Sequence, residues 1–497
     1  MRNRLLVVLS CVALGAALLV WDPARAQSVP TYHRSPDRSG NYVMPGLTWE
    51  RAPGLHRDPT FDGRFEGQVY AQPLLWRSGP TGLLVVATEE NVIYAFDAKT
   101  GKTVWRRSVG RPVPRSALPC GNIDPLGITG TPVIDEGRRA VYFDAMVAGE
   151  DKPRHMIFGL SLGDGSILPG FPVDIPRALK ALGMRFISAI QNQRGALLIV
   201  NDKLFIPYGG HYGDCGPYHG WVVGIDLASP AKVSAWATRA EGGGIWAPGG
   251  ISYDGRSMFV ATGNTMGAQQ WSDGEAVFRL HTDLAPPTSS RDFFAPANWK
   301  FMDRADQDLG ATNPLPLDVP SANGKTQFVL ALGKDGNAYL LNRKDLGGIG
   351  GALAVKQIAR APIRTAPASF PAGNAVFVAV QARAVGCPRP VANPDVLALR
   401  IAARPSPSIS IAWCGTFEGR AAPIVTTTDG SSNPIVWIAG AEGDNRLHGF
   451  RGDNGTPIFA GDRAADRVQG VARFSTILAA DGRLFIAGDG RLYAFVP

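Results

Sequence analysis

Residues 91–105, NVIYAFDAKTGKTVW, contain an alternating apolar strand, a polar turn and the start of a second strand. Seven further segments follow the same plan: 156–166, 221–236, 275–284, 337–348, 395–402, 445–458 and 491–496. Such repetition is typical of a ring or stack of similar units, because one unit alone cannot bury its apolar face. Helical periodicity is scarce, and Gly (59) and Pro (39) are abundant. The sequence therefore predicts an all-β protein.

Each copy lies within a unit of four short strands. An apolar strand precedes the hairpin, as in QVYAQPLLW (68–76), and several units end in a Trp-bearing strand, as in TVWRRSV (103–109). Eight such units, spaced by about 57 residues, predict an eight-bladed β-propeller of four-stranded antiparallel blades, with seven blades as the alternative.

The two ends of the chain indicate how the ring closes. The last copy ends at Val496 and lacks an outer strand, whereas Leu47–Glu50 resembles the Trp-bearing outer strands. We therefore expect this N-terminal strand to complete the last blade, which would remove an exposed sheet edge.

The first 26 residues have the pattern of an export signal. Two Arg precede an apolar run over 5–20, and ARA at 24–26 is a small-x-small cleavage site. The run is short for a membrane span. We predict a signal peptide over 1–26, cleaved after Ala26, and a single propeller domain over 27–497. The mature chain would have no transmembrane segment and would be periplasmic or secreted.

Four cysteines follow the predicted cleavage site, and an even number in an exported chain favours two disulfides. Of three connectivities we favour Cys120–Cys215 and Cys387–Cys414, because each pair lies in neighbouring units. No C-x-x-C-H motif is present, so a covalent c-type haem is not expected. The net charge of +8 is spread without a basic run. We therefore expect no nucleic-acid partner. A monomer is also expected.

Several inner strands begin with a polar or positively charged residue: Gln72, Arg194, Arg364, Arg420 and Arg473. Inner strands of a propeller line its central channel. Converging Arg side chains repel one another unless an anion lies among them. The alternative is that each Arg forms an ion pair between blades.

Residues 242–271, GGGIWAPGGISYDGRSMFVATGNTMGAQQW, resemble the PQQ-repeat (quinoprotein alcohol dehydrogenase-like) family, whose cofactor is pyrroloquinoline quinone (PQQ). Its members have a Gly-rich run, a Trp and a strand ending in G-T-G-N, which is ATGN here. The resemblance implies that Trp246 stacks on the quinone and that Asn264 binds Ca²⁺. An aromatic platform suits a flat cofactor, and a hard cation needs oxygen ligands. The alternative roles are a packing Trp and a turn Asn.

Two later segments continue the resemblance. ANWKFMDRADQDLG (297–310) stands where the family has its catalytic base, which implies that Asp306 or Asp308 takes the substrate hydroxyl proton as hydride leaves. GKDGNAYLLNRKDLGG (333–348) resembles a motif whose Lys contacts the quinone oxygens, which implies the same role for Lys334. Arg194 and Gln72, from the channel, are further candidates for cofactor binding. Without the resemblance, Asp306 and Asp308 are solvated loop carboxylates and Lys334 is a charge in a surface turn.

The loop YGGHYGDCGPYHGW (208–221) departs from the family, which has a Ca²⁺-binding Glu and an Arg there. Asp214 is expected to replace the Glu as metal ligand, and His219 to replace the Arg as a cofactor-binding residue. Two alternatives remain open. Either the loop has lost the metal, or it binds a transition metal, which its His residues suit better than Ca²⁺. The family's two adjacent cysteines are also absent, since 117–127 contains one.

We favour a periplasmic quinoprotein-like oxidoreductase that oxidises an alcohol or sugar hydroxyl with PQQ and Ca²⁺, and reduces an external electron acceptor. The matched residues occur in the family's order, namely Trp246, Asn264, Asp306 and Lys334. Packing requirements alone explain this order less well. The alternative is a non-catalytic propeller that binds a protein, peptide or glycan partner in the cell envelope and resembles outer-membrane assembly propellers. A hydrolase using His211 or His219 ranks last, because no nucleophile motif accompanies them.

Overall fold

The computed structural model describes residues 27–78, 81–322 and 324–497, so the expected signal peptide (1–26) lies outside the described residues. These residues form eight small, mainly antiparallel sheets of four or five strands. The prediction of an all-β, eight-bladed propeller is confirmed, and eight blades rather than seven are present.

Three short strands precede the first blade: β1 (Asn41–Val43), β2 (His56–Arg57) and β3 (Gly63–Arg64). Blade 1 contains β4 (Leu74–Ser78), β5 (Thr81–Ala87), β6 (Val92–Asp97) and β7 (Thr103–Ser108). Blade 2 contains β8 (Val133–Asp135), β9 (Ala140–Val147), β10 (Arg154–Ser161) and β11 (Val173–Asp174). Blade 3 contains β12 (Gln191–Asn192), β13 (Leu198–Val200), β14 (Lys203–Gly210), β15 (Trp221–Asp226) and β16 (Val233–Ala237).

Blade 4 contains β17 (Ser252–Tyr253), β18 (Met258–Thr262), β19 (Ala276–Leu280) and β20 (Phe293–Ala295). Blade 5 contains β21 (Leu315–Ser321), β22 (Gly324–Leu332) and β23 (Asn337–Asn342), then β24 (Gly348–Ile349), which joins blade 4 in parallel, and β25 (Ala354–Gln357). Blade 6 contains β26 (Ala368–Ala372), β27 (Ala375–Gln381), β28 (Val396–Ala402) and β29 (Ser408–Gly415). Blade 7 contains β30 (Ile424–Thr427), β31 (Ile435–Ala439), β32 (Leu447–Arg451) and β33 (Pro457–Phe459). Blade 8 contains β34 (Leu478–Ala480), β35 (Arg483–Gly488) and β36 (Arg491–Val496).

Helices are few in the described part of the chain. The α-helices are α1 (Ile175–Ala181) and α2 (Trp299–Arg304). Short 3₁₀ turns occupy Ala52–Gly54, Arg115–Ala117, Ser188–Ile190, Ser290–Asp292, Leu309–Ala311 and Ala464–Asp466. Within the described ranges, no helix has the length and apolar character needed to cross a membrane.

Outer-strand Trp residues join neighbouring blades. The indole N–H groups of Trp105 and Trp413 donate to backbone carbonyls of the next blade at 3.0 and 2.7 Å. Each ring also lies against a turn Gly of that blade: a Cβ on Gly165 would lie 2.7 Å from the Trp105 ring, and one on Gly455 2.6 Å from that of Trp413. A buried indole needs both an acceptor and a flat contact surface. The Trp of one copy and the Gly turn of the next therefore form one interface.

An N-terminal strand completes blade 8, as predicted, but not at the predicted position. Both β2 and β3 pair antiparallel with β36. The assignment of the closing strand to Leu47–Glu50 is wrong, because this segment consists of turns and coil. Its Trp49 donates from Nε1 to the Pro434 carbonyl at 2.9 Å. A Trp in a turn can thus make the hydrogen bond of an outer-strand Trp, so the residue type alone does not identify a strand.

Residues 29–43, here called the axial segment, hydrogen-bond to inner strands, or to residues beside them, in seven blades. The contacts reach blade 1 (Leu75), blade 2 (Ile134), blade 3 (Leu197), blade 4 (Tyr253), blade 6 (Ser369), blade 7 (β30, through β1) and blade 8 (Thr476). Only a segment near the axis of the ring can reach so many inner strands. The sequence analysis did not predict this arrangement.

The buried side chains of Tyr32 and Arg38 fix the axial segment. Tyr32 packs against alanines of three different blades. Arg38 is 0% exposed; its Nε donates to the Ile251 carbonyl and its Nη2 to the Leu197 carbonyl, both at 2.9 Å. A buried guanidinium is tolerated only when its donors are satisfied. Burial lowers the pKa of Arg38 to about 10, so it remains charged at neutral pH.

Candidate functional site

A chamber of about 900 Å³ opens at one end of the ring. Its walls are formed by residues that precede inner strands and by loops between the second and third strands of blades. In an antiparallel blade these two places lie at the same end. The chamber is lined by seven predicted site residues: Arg194, Asp214, Trp246, Asn264, Asp306, Asp308 and Lys334.

Trp246 lies in the chamber wall, half-buried, beside two cationic side chains. The Lys334 Nζ is 5.4 Å and the Arg194 Cζ 5.9 Å from its ring centroid. Cations at this distance from an indole face interact favourably with it. A flat anionic ring stacked on Trp246 would therefore lie within reach of both cations.

Lys334 bridges the two candidate catalytic carboxylates. Its Nζ lies 2.5 Å from Asp308 Oδ2 and 2.7 Å from Asp306 Oδ1. The side chains of Asp308 and Lys334 are 4% and 10% exposed, whereas that of Asp306 is 67% exposed. Burial alone would lower the pKa of Lys334, but the two carboxylates outweigh it, and the net shift is upward. Lys334 is therefore charged at neutral pH.

The ATGN strand end positions Asp308. Asp308 Oδ1 accepts the Asn264 N–H at 2.7 Å. A Cβ on Gly263 would lie 2.7 Å from the same carboxylate oxygen, so a larger residue there would displace Asp308. Gly263 is therefore needed at this position for steric reasons. Ala261, which replaces the family's first Gly, is buried in β18.

The residues present do not fit a resident calcium ion. Both oxygens of Asp308 are engaged, one by Lys334 and one by the Asn264 N–H, and Asp306 is also paired with Lys334. Asp214 is exposed and accepts the Tyr218 hydroxyl at 2.7 Å. Within residues 27–78, 81–322 and 324–497, no group of three or more His, Cys, Asp or Glu side chains could hold a metal ion. We therefore derive no step through a metal.

A disulfide holds the 208–221 loop at the chamber. Cys120–Cys215 and Cys387–Cys414 form as predicted, with Cα–Cα distances of 6.0 and 5.9 Å. The loop places His211 in the wall, 3% exposed, with no partner for Nε2 in the described part of the chain. Burial lowers the pKa of His211 to about 3, so this imidazole is neutral.

Gln72 and His219 are not among the residues that line the chamber. Gln72 is 2% exposed, and its Oε1 accepts the His33 N–H of the axial segment at 2.9 Å. His219 has its Nδ1 2.9 Å from the Thr238 carbonyl oxygen. The axial segment covers Gln72 at the start of its inner strand, so Gln72 does not line the chamber. His219 lies against its own blade instead, beside Thr238.

The Arg residues at the inner-strand starts divide between the two predicted roles. Arg473 lies 2.7 Å from Glu442 of the preceding blade, as the inter-blade alternative predicts, whereas Arg420 lies 3.9 Å from the same Glu442 within blade 7. Arg194 and Arg364 also line the chamber, and neither has a hydrogen bond or ion pair among the residues that the structure describes. These two cations remain free to meet an anion.

Sequence reasoning missed two features of the site. Tyr218 and Phe474 line the chamber, but aromatic residues in loops give no distinctive pattern. Glu275 is 0% exposed behind the site, and its Oε2 accepts the Leu309 N–H at 2.6 Å. Burial raises the pKa of Glu275 well above its usual value, and the neighbouring Asp308 adds to the effect. A single Glu within a strand-turn sequence carries no signal of this burial.

No family model matches the chain, and no curated protein matches its sequence. Solved structures do match it. A quinohemoprotein alcohol dehydrogenase from Pseudomonas putida HK5 has a TM-score of 0.67 at 13% identity, over 94% of this chain and 80% of that one. A europium-containing methanol dehydrogenase has 0.61 at 14%, over 94% and 89%. BamB from Moraxella catarrhalis has 0.51 at 12%, over 89% and 100%. At these identities the likeness shows a quinoprotein-like propeller fold.

Proposed function

We propose that this chain is a quinoprotein-type oxidoreductase that binds PQQ in the chamber and oxidises an alcohol or sugar hydroxyl. The observation that supports it is the convergence of Trp246, Lys334 and Asp308 at the mouth of the ring. PQQ is a flat tricarboxylate, and the site offers an indole platform with the unpaired cations Arg194 and Arg364 beside it. Gly244 and Gly263 leave the wall beside the indole free of side chains.

When bound, PQQ supplies a two-electron acceptor for hydride. The carboxylate of Asp308 takes the substrate hydroxyl proton, with the exposed Asp306 as the second candidate for this role. An ammonium group has three N–H donors, and two of those on Lys334 are used by the carboxylates. The third is available to an anionic oxygen in the chamber. Lys334 thus provides the positive charge that a metal ion would otherwise supply.

Two further elements of the proposal concern the surroundings of the protein. Electrons leave to an external acceptor, since the sequence has no c-type haem motif. The predicted signal peptide places this reaction in the periplasm or outside the cell.

Reconstitution tests the proposal directly. The protein is incubated with PQQ and EDTA, passed through gel filtration and assayed for quinone absorbance, then for dye reduction with alcohols and sugars. We expect about one PQQ per chain, and a loss of roughly tenfold or more in affinity for Trp246→Ala. The variant loses both the apolar contact area of the indole and a ring stacking of about 1 kcal/mol, and a tenfold loss needs only about 1.4 kcal/mol in total.

Trp49→Ala is the matched control, because Trp49 is half-buried and does not line the chamber. It should retain the wild-type affinity. If wild-type protein keeps no quinone after gel filtration, the oxidoreductase proposal is refuted, and the non-catalytic, partner-binding alternative replaces it.

A further inference from the structure

A second, smaller chamber of about 130 Å³ adjoins the first on the side of the axial segment. Asn122, Arg194, Arg473 and Phe474 line both chambers, so the two are contiguous. Tyr32 of the axial segment lines only the smaller one, which is called the inner chamber below. Nothing in the proposed oxidation uses this space.

Unpartnered donors surround the inner chamber. Tyr32 is 2% exposed, and its hydroxyl has no hydrogen-bond partner among the described residues. Thr129, 6% exposed, lies beside the Glu89 carboxyl group, to which its hydroxyl can donate. Burial raises the pKa of Tyr32, so its hydroxyl stays protonated. The Arg194 Nε is also buried without a partner there. Buried donors without acceptors are costly, and two around one small space indicate a missing acceptor.

The charge balance of the inner chamber is positive. Glu442 is the acidic residue in its lining, and both of its oxygens are used by Arg473, at 2.8 and 2.7 Å. Glu89, behind the wall, accepts the Gly127 N–H at 2.7 Å and forms no ion pair with Arg194 in the described structure. Burial raises the pKa of Glu89 to about 7, so this carboxyl group is only partly ionised at neutral pH and only partly balances the charge of Arg194.

We propose that the inner chamber binds a carboxylate group or an oxyanion of similar size, held by Arg194 and the hydroxyl of Tyr32. Its volume of about 130 Å³ equals that of roughly four water molecules, which suits a small anion and excludes a ring system. The anion is either free or the carboxylate of a molecule in the outer chamber, because Arg194 lines both. This inference does not depend on the outer ligand being PQQ.

Selenate is a suitable probe, because selenium gives an anomalous signal and the ion accepts several hydrogen bonds. Binding is measured by isothermal titration calorimetry, and the position by anomalous diffraction of co-crystals. We expect saturable binding with selenium between Arg194 and Tyr32. Tyr32→Phe should weaken it by about tenfold or more, since a hydrogen bond to a charged group is worth about 1.5–3 kcal/mol.

Arg364→Gln is the matched control, because Arg364 lines the outer chamber but not the inner one. It should leave selenate affinity within about twofold of wild type, since only a distant charge is lost. Unfolding midpoints without anion verify that the variants fold. Selenate displaced by added PQQ would identify the outer ligand's carboxylate as the natural occupant, and unaffected selenate would identify a free anion. An inner chamber that holds only water at saturating selenate would overturn the proposal.

Discussion

At the scale of single residues, Lys334 is a positive charge that lies beside Trp246, in the place of a metal ion. Its ammonium contacts two carboxylates that would otherwise be available to a metal ion. Two unit charges about 4 Å apart attract by about 4 kcal/mol at an effective dielectric constant of 20. A metal ion must therefore displace this ammonium before it can bind Asp306 and Asp308.

Replacing Lys334 should create a metal site that the wild-type protein lacks. In Lys334→Met we expect terbium, an oxygen-seeking probe for calcium, to bind at least about tenfold more tightly than in wild type, because the lost attraction exceeds 1.4 kcal/mol. Energy transfer from Trp246 makes bound terbium luminescent and reports the binding.

Arg364→Met removes one positive charge from the same chamber without freeing a carboxylate, and it should behave like wild type. Equal terbium affinity in wild type and Lys334→Met would show that Lys334 does not exclude metal.

The sequence predicted most of the chamber lining because of where repeats place residues. Starts of inner strands and ends of second strands meet at one end of any propeller, so Trp246, Asn264 and Lys334 were predictable once the strands were assigned. Gln72 was not, because the His33 that contacts it lies 39 residues earlier, in a segment without a strand pattern. The ion pairs of Lys334 depend on distances of a few ångströms, which spacing does not encode.

At the scale of elements, a buried polar network joins blades 2 and 3. His155 of β10 has its Nδ1 2.7 Å from Asp144 Oδ1, and the Tyr208 hydroxyl of β14 donates to Asp144 Oδ2 at 2.8 Å. His155 Nε2 lies 3.0 Å from the Gln191 carbonyl oxygen. With an acceptor at each ring nitrogen, the imidazole is doubly protonated. Burial alone would lower the pKa of His155, but Asp144 outweighs it, and the net shift is upward.

Asp144→Asn should destabilise the fold by about 3–5 kcal/mol, because it leaves a buried charge without its partner. The raised pKa also makes this contribution pH-dependent. It is complete below about pH 6.5, the unfolded value of His, and is lost as pH rises through the native pKa. Urea midpoints of wild type and variant, measured between pH 5 and 9, should therefore converge toward high pH.

Asp453→Asn is the control, since Asp453 forms an exposed ion pair with Arg451. It should cost less than about 1 kcal/mol. A gap between wild type and Asp144→Asn that stays constant from low to high pH would contradict a charged His155.

The elements themselves were largely predictable, because alternating strands and Gly turns repeat in every unit. The closing strands were not. β2 and β3 have two residues each, which is too short for a sequence pattern. They are extended because they pair with β36, not because of their own sequence. Leu47–Glu50 has the residue types of an outer strand, but its neighbours place it in turns.

At the scale of the whole molecule, the axial segment connects blades that are otherwise linked only to their neighbours. Arg38 forms two of the connecting hydrogen bonds, one to blade 3 and one to blade 4. Arg38→Met should lower the free energy of unfolding by roughly 3 kcal/mol or more, because buried carbonyls of blades 3 and 4 lose their donors. Urea unfolding followed by Trp fluorescence measures the change.

Arg64→Met is the matched control, since the Arg64 side chain is 68% exposed beside Asp62. It should change stability by less than about 1 kcal/mol. An equally small effect of Arg38→Met would mean that the axial segment is not needed to hold the blades together.

The axial segment also imposes an order in time on folding. His33 and its partner Thr476 are separated by 443 residues. At about 5–20 residues per second, a ribosome needs on the order of half a minute or more to make that stretch. His33 therefore stays without this partner until Thr476 has been made. A nascent chain that stops before blade 8 cannot form the complete centre of the ring. The ring is completed only after blade 8 has been made, by a segment that was made before blade 1.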